Sequence, residues 1–441
     1  MARARQSPPR RNRIGQVSVF LRHHAWWVYY RADGRPVRRR VATDHAEALH
    51  SAAELNRQLQ GADPNPNSFQ PITVRELRAK FLQHHEDVLH SSLATIARYR
   101  TATQYVENFS RARNDGRHAH DLSATAFTAY LRTVLVQPNG RSGGRRRHLR
   151  DKGVQFILQT VRSMYSFAAR HRHLPPYANN PLAEVPIRRL RIRDAKPIFV
   201  FDPAMELAFL QAADDWAFAV HFTLAKTGLR SGELTRLLIE DLDLEQGWLH
   251  VRNKPGLGWW IKTGQERRVP LVPEVVRVLR RAIGGRSVGP VFLRPQFWGT
   301  NPPLVQSQRD LERTLARRCR TQASRLELHR LALGLWRDAG AVKPDAIRTS
   351  FVRIMAQLGR PDATCPKSWR HTFATLLQDA NVDPLIRQQT LGHRPSTHSG
   401  LGMTGHYTHT RPETLRRQIE MAIRMWPQSL VLAQQRMEDI P

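Results

Sequence analysis

Five short segments of the 441-residue chain carry side chains suited to handling an anion. In Thr227-Gly228-Leu229-Arg230-Ser231-Gly232-Glu233-Leu234 a glycine closes one helix and the next one opens. Arg230 therefore stands near a helix N-terminus, where free N–H groups and the dipole already favour negative charge. Glu233, three residues on, can hold the guanidinium; alone, such a pair is most often a surface salt bridge. Ile261-Lys262-Thr263-Gly264-Gln265-Glu266-Arg267-Arg268-Val269-Pro270-Leu271 reads as a hairpin with Lys262 near its tip. A lone hairpin lysine is usually just solvated. Lys367-Ser368-Trp369-Arg370-His371-Thr372-Phe373-Ala374-Thr375 starts another helix, and Lys367 and Arg370 share one face of it. Leu391-Gly392-His393 follows, with His393 placed 23 residues after Arg370, and then Gly405-His406-Tyr407-Thr408-His409.

The charge of the whole chain suggests which anion. Lys and Arg total 69 against 37 Asp and Glu, a formal net charge of +32. An excess of this size makes a polyanion the default partner, nucleic acid before an anionic membrane. No run of about 18 apolar residues exists to span a bilayer. The basic N-terminus lacks the apolar stretch of a secretory signal. The two cysteines, Cys319 and Cys365, form no CxxC pair, which argues against a disulfide scaffold or thiolate zinc site and fits a reducing cytosol. No GxxxxGK[ST] occurs, which argues against a P-loop motor.

The order TGLRSGEL, IKTGQERRVPL, KSWRHTFAT, LGH, HYTH resembles the tyrosine recombinase (phage integrase) family. Each piece alone is weak; five in sequence over about 180 residues are specific. Carried over residue by residue, Arg230 and Arg370 match the family's two arginines, and Lys262 its hairpin lysine. Lys367 stands at the histidine-or-lysine position, His393 at the histidine-or-tryptophan position, and Tyr407 at the nucleophile; Glu233 supports Arg230. Two departures bear on local geometry and target preference. The family commonly places its tyrosine closer to the histidine than the 14 residues found here, and residues from about 296 to 364 exceed the usual length, with a helical insertion near Leu311–Trp336.

The resemblance implies a site-specific recombinase or integrase of a mobile element, acting on double-stranded DNA sites as a homotetramer on two duplexes. An accessory DNA-bending protein would be an optional partner, and the place of action the bacterial cytoplasm, at the nucleoid. The chemistry suits the residue types. Two arginines can neutralise a pentacovalent phosphate bidentately without a metal or other cofactor. A phenol of ordinary pKa near 10 needs a cationic pocket or a base to attack. Lys262 can protonate the leaving 5′-oxygen, while Lys367 and His393 bond the phosphate and assist proton transfer. A 3′-phosphotyrosyl link would conserve the bond energy. Other readings are a DNA-binding accessory factor that has lost catalysis, and a type IB-like topoisomerase or hairpin resolvase. Two metal readings are weaker. Glu240, Asp241, Asp243 and Glu245 alternate with Leu242 and Leu244 as a strand entry would, and clustering of His393, His398, His406 and His409 is expected by chance among 20 histidines.

The elements that must position these groups form a mainly α fold with small β-sheets, in three domains. Residues 1–60 hold an arm-type DNA-binding sheet and helix. Residues 1–13 read as a disordered arm, then strands at Val17–Leu21, Trp26–Arg31 and Pro36–Val41 and a helix from Thr43 to about Gln60. Arg38, Arg39 and Arg40 alternate with a sheet rich in Trp and Tyr, a pattern suited to DNA. Residues 73–185 read as an all-α core-binding domain of four helices, whose third connection carries Arg145, Arg146 and Arg147 and suits phosphate tracking. Residues 200–430 would be catalytic: a helix over Met205–Gly228, strands at Trp248–Val251, Trp259–Thr263 and Arg267–Leu271, and helices beyond. After Tyr407, Leu415, Ile419, Ala422 and Trp426 make one apolar stripe ended by Pro427. The family habit of lending this segment to a neighbour predicts docking in trans, with Ile419 and Trp426 as anchors.

Overall fold

In the computed structural model the residues described are 11–32, 35–60, 71–113, 118–137, 145–175, 178–194, 198–319, 323–393 and 410–438. Near the N-terminus, strands β1 (Arg11–Ile14), β2 (Val17–Arg22), β3 (Ala25–Ala32) and β4 (Arg35–Ala42) pair antiparallel in sequence order. Helix α1 (His45–Gln60) covers one face, burying Val17, Val19, Val28 and Tyr30 against Ala48, Ala52 and Leu55. The sheet has four strands, not three, and residues 11–13 belong to it rather than to a free arm. Arg-Asn-Arg offers no apolar alternation to read. The strand is set by its backbone ladder and by the turn at Gly15, whose φ of 55° suits glycine. The Asn56 amide of α1 occupies the space a Cβ there would need, and its Oδ1 accepts the Gln16 N–H at 2.8 Å.

Four helices follow: α2 (Val74–Asp87), α3 (Leu93–Ala112), α4 (Ala124–Thr133) and α5 (Asp151–Arg170). Thr73, Ser92 and Ser123 cap the first three, and Thr73 forms a full capping box with Glu76. Leu77, Phe81, Val106, Phe127, Leu131, Val161 and Tyr165 fill their common core. Contrary to the strand-free reading, β5 (Leu135–Val136) and β6 (Arg147–His148) form a short antiparallel ribbon between α4 and α5. Two residues per strand are too few to leave a periodic signal.

The chain divides into two compact units, Met1–Lys196 and Pro197–Pro441. In the second, the expected single helix is two, α6 (Pro203–Gln211) and α7 (Asp215–Thr227), broken where Asp214 caps the second. Every residue of α7 from Trp216 to Thr227 is buried, which makes it the spine of the domain. A short helix α8 (Ser231–Leu234) precedes an antiparallel sheet of β7 (Leu242–Asp243), β8 (Trp248–Val251) and β9 (Arg267–Pro270). The strand expected at Trp259–Thr263 is absent: a single bridge joins Lys254 to Trp259, and Lys262 lies in a turn. Helices α9 (Pro273–Ile283), α10 (Gln308–Arg318), α11 (Arg325–Asp338), α12 (Pro344–Gln357), α13 (Lys367–Asp379) and α14 (Pro384–Leu391) follow, then α15 (Pro412–Arg424) and α16 (Pro427–Glu438). The insertion is the pair α10–α11, with a separate small core around Leu311, Leu315, Leu335 and Trp336.

The C-terminal expectation is overturned. Ile419, Ala422 and Ile423 of α15, with Leu430 and Ala433 of α16, are buried in the core of their own domain. Pro427 begins α16 rather than ending the pattern, as suits proline in a first helical turn. Trp426 is only half-buried, with the Lys226 ammonium over its ring at 5.9 Å. No helix among the described residues is long and apolar enough to cross a membrane.

Candidate active site

The site is built at the C-terminal ends of two helices. Helix α7 stops at Gly228, whose φ is 61°. A Cβ there would lie 2.3 Å from the Phe373 ring of α13, so only glycine lets the two helices approach. The turn frees the Gly228 carbonyl, which accepts a hydrogen bond from Arg370 Nη1 at 2.7 Å. Arg370 Nη2 donates to the Leu391 carbonyl at the end of α14 and, at 3.2 Å, faces His393 Nε2. Arg370 is buried, and its guanidinium is fixed by main chain rather than by a carboxylate. Burial first, then the charges of Arg230 and Arg267, push its pKa down to about 10, so it stays a cation near neutrality.

Arg230 caps α8, and Glu233 reaches back to it. One carboxylate oxygen accepts from Arg230 Nη1 at 2.7 Å, the other from the Arg230 backbone N–H at 2.9 Å. The same carboxylate takes both terminal nitrogens of Arg267, at 3.1 and 2.6 Å. Burial alone would raise the Glu233 pKa; the Arg267 bonds and charge, with those of Arg230, hold it below the usual range. Arg267 Nε also donates to Thr390 O at 2.8 Å, and its guanidinium lies against Gly392. Arg267 and Arg370 thus fasten the end of α14 that presents His393.

His393 is exposed. Partial burial and the charges of Arg370, Arg230, Arg267 and Lys367 lower its pKa, so it is neutral at physiological pH. Arginine can only donate, so Nε2 accepts from Arg370 and the ring proton sits on Nδ1. A cavity of about 530 Å³ opens beside it, lined in part by Trp248, Arg267, Gln388 and Pro412.

The structure brings Arg230, Glu233, Arg370 and His393 into one network. Lys367 opens α13 one turn from Arg370, exposed, and its charge reaches His393. Lys262 is exposed on its own turn and contacts none of these groups among the described residues. Tyr407 lies outside the described residues, as do His398, His406 and His409. Arg267 was missed in the sequence, although a signal existed: it alternates with Val269 on β9 and so takes an inward position. The acidic cluster is structural. Asp241 is fully buried, 2.7 Å from Lys254 Nζ and 3.1 Å from Arg252 Nε. Among the described residues no group of three or more His, Cys, Asp or Glu is placed to hold a metal.

The basic runs divide by face. On β4, Arg38 pairs across from Tyr29 and Arg40 from Trp27; Arg39 pairs with the buried Val28 and so points to the side covered by α1. Two rows cross the open face, Phe20-Trp27-Arg40 and Arg13-Ser18-Tyr29-Arg38. Arg145, Arg146 and Arg147 are all exposed, at and within the β5–β6 ribbon.

Comparison with known proteins agrees. Residues 207–414 match the sequence profile of the Phage integrase family. The chain is 26% identical over 356 residues to tyrosine recombinase XerC of Pelobacter propionicus, covering 79% of this chain and 94% of that one. Residues 207–414 form a domain of the phage integrase family. Within this family, XerD of Staphylococcus epidermidis is 25% identical over 273 residues, 60% of this chain and 75% of its own length. Among solved structures, the Tn1549 transposon integrase in complex with transposon right end DNA shares the fold of the recombinase, with a TM-score of 0.51, 19% identity and coverage of 79% of this chain and 99% of that one.

Proposed function

We propose that this tyrosine-type site-specific recombinase cuts and rejoins DNA through a 3′-phosphotyrosyl intermediate on Tyr407. Arg230 and Arg370 bind the non-bridging oxygens of the scissile phosphate and oppose the charge that grows in the transition state. The Tyr407 oxygen attacks phosphorus, the P–O5′ bond breaks, and Lys262 gives a proton to the leaving 5′-oxygen. His393 and Lys367 bond the phosphate from the side and assist proton transfer. Attack by a 5′-hydroxyl reverses each step and rejoins the strand without ATP. The observation that carries this reading is Arg370, a buried cation held by two carbonyls and adjoining Arg230 and His393.

Three domains divide the labour: 1–60 as an arm-type DNA-binding module, 73–185 as a core-binding module and 200–430 as the catalytic module. Arg38 and Arg40 contact phosphates from the open sheet face, and Arg145, Arg146 and Arg147 track the backbone from the ribbon. Four copies act on two duplexes of a mobile element's recombination sites, in the bacterial cytoplasm at the nucleoid, with an accessory DNA-bending protein as an optional partner. A nicked suicide site tests the chemistry. Denaturing electrophoresis should show a covalent protein–DNA band that persists in excess EDTA and is lost in Tyr407→Phe, while that variant still binds DNA. An adduct retained in Tyr407→Phe overturns the nucleophile. Sequence-independent relaxation of supercoiled plasmid would shift the reading to a topoisomerase.

A further inference from the structure

Lys262 sits on a turn with unusual support. The Ile261 carbonyl accepts the Gly264 N–H at 2.8 Å, closing a β-turn with Lys262 and Thr263 at its centre. The Asn253 side chain spans the two ends of that turn. Its Oδ1 accepts the Ile261 N–H at 2.8 Å, and its Nδ2 donates to the Gly264 carbonyl at 3.2 Å. The Asn253 backbone N–H donates to Glu266 Oε1 at 2.8 Å, which ties the same residue to the returning strand.

Asn253 is itself held from below. Its neighbour Lys254 is buried on Asp241 and exchanges both backbone hydrogen bonds with Trp259, at 3.0 and 3.1 Å. The short turn so enclosed, Pro255–Leu257, inserts into the insertion. Leu257 is buried in the small core between α10 and α11, and Trp336 of α11 donates its indole N–H to the Leu257 carbonyl at 3.3 Å. The backbone lies close to both helices. A Cβ on Gly256 would meet the Glu312 carboxyl at 2.7 Å, and one on Gly258 the Ala332 methyl at 3.1 Å.

We propose that Asn253 is the positioning residue of Lys262, and that the α10–α11 insertion seats Asn253 through the 254–259 turn. A lysine side chain has four rotatable bonds, so its reach to one leaving oxygen depends on how well its backbone is fixed. The insertion that lengthens this chain thereby acts on proton transfer without touching substrate. This inference rests on the reading of Lys262 as proton donor, and the experiment separates the two.

Cleavage rates are measured on two suicide DNAs, one natural and one with a 5′-bridging sulfur, whose thiolate leaves without a proton. Half-site binding and the unfolding midpoint are recorded for each variant, so that a folding defect is seen directly. Asn253→Ala should slow natural DNA about tenfold or more, with near-wild-type rates on the sulfur DNA. Trp336→Phe, which removes the indole N–H together with part of the ring volume, should slow natural DNA by a smaller factor, also corrected by sulfur. Lys262→Ala sets the reference. If it fails to recover on sulfur DNA, the proton-donor reading falls and the inference with it. If it recovers while Asn253→Ala stays equally slow on both DNAs, or is not slowed on either, the inference alone is overturned.

Discussion

Replacing Glu233 by glutamine removes one charge and almost no volume, yet it should be among the most damaging isosteric changes in the catalytic domain. The carboxylate accepts four hydrogen bonds, two of them from Arg267, whose side chain is only 5% exposed. A glutamine presents one acceptor and an amide whose hydrogens would face guanidinium hydrogens. Arg267 would be left a buried cation without an anion, which typically costs about 3–5 kcal/mol. The Glu233 pKa is depressed in the folded state, so its contribution is fully present at pH 7 and is lost only as pH falls through that depressed value. Eight of the ten tryptophans lie beyond residue 197, so tryptophan fluorescence during guanidinium unfolding reports mainly on this unit. The cycle is completed by Arg267→Met and the double variant. The double variant carries no orphan charge and should regain most of the loss. Cleavage should not recover with it, because Arg230 still lacks its tether. A Glu233→Gln cost below about 1 kcal/mol, or strictly additive single and double variants, would refute the argument.

Three further outcomes are expected. His221 is fully buried, accepts from Trp369 Nε1 at 3.1 Å and so donates through Nε2 to Ser350 at 2.8 Å. Burial pushes its pKa down to about 3, below the unfolded value, so stability should fall by about 2 kcal/mol between pH 7 and pH 5. A His221→Gln variant showing the same pH slope in denaturant titrations would contradict this. Truncation after Arg411 removes Ile419, Ala422, Ile423, Leu430 and Ala433 from the core, so the second unit should lose its cooperative thermal transition. A truncated protein melting at the wild-type temperature would show that α15 and α16 are dispensable. On DNA, Arg38→Ala and Arg40→Ala should each reduce the slope of log affinity against log salt by about 1, whereas Arg39→Ala should not. Equal slopes for all three would remove the open sheet face from the interface.

How far the sequence reveals this arrangement depends on the range of the interaction. Arg230 with Glu233, and Lys367 with Arg370, are readable because three-residue spacing at a helix start fixes their relation locally. The convergence of Arg230, Arg370 and His393 enters only through a motif order shared with a family. The alternation of Arg267 with Val269 marks it as inward-facing, but not its role, since Glu233 on α8 and the Thr390–Gly392 end of α14 reach it from two distant elements. The α10–α11 helices show in the helical period, but their attachment to Leu257 is a tertiary contact that no period encodes. The stripe on α15 is a similar case: amphipathicity says that a face is covered, not whether the cover is the same chain or another. Two-residue strands such as β5 and β6, and a strand such as β1 with one apolar residue, lie below what alternation can detect.

Among the described residues Arg370 has no counter-ion, and that shapes the energetics of the site. Its two carbonyl partners are the C-terminal ends of α7 and α14, each carrying a partial negative charge of roughly half an electron. This is enough to keep a buried guanidinium charged, and it leaves the formal positive charge uncancelled. Glu233 is shared between Arg230 and Arg267, so among the described residues the pocket holds more cations than anions, and these cations repel one another: burial first, and then the charges of Arg230 and Arg267, lower the Arg370 pKa. A phosphate group entering such a pocket relieves a repulsion already built into the fold. The unliganded domain should accordingly be stabilised by sulfate or inorganic phosphate beyond the effect of equal ionic strength in chloride, and that excess should shrink when Arg370 is replaced.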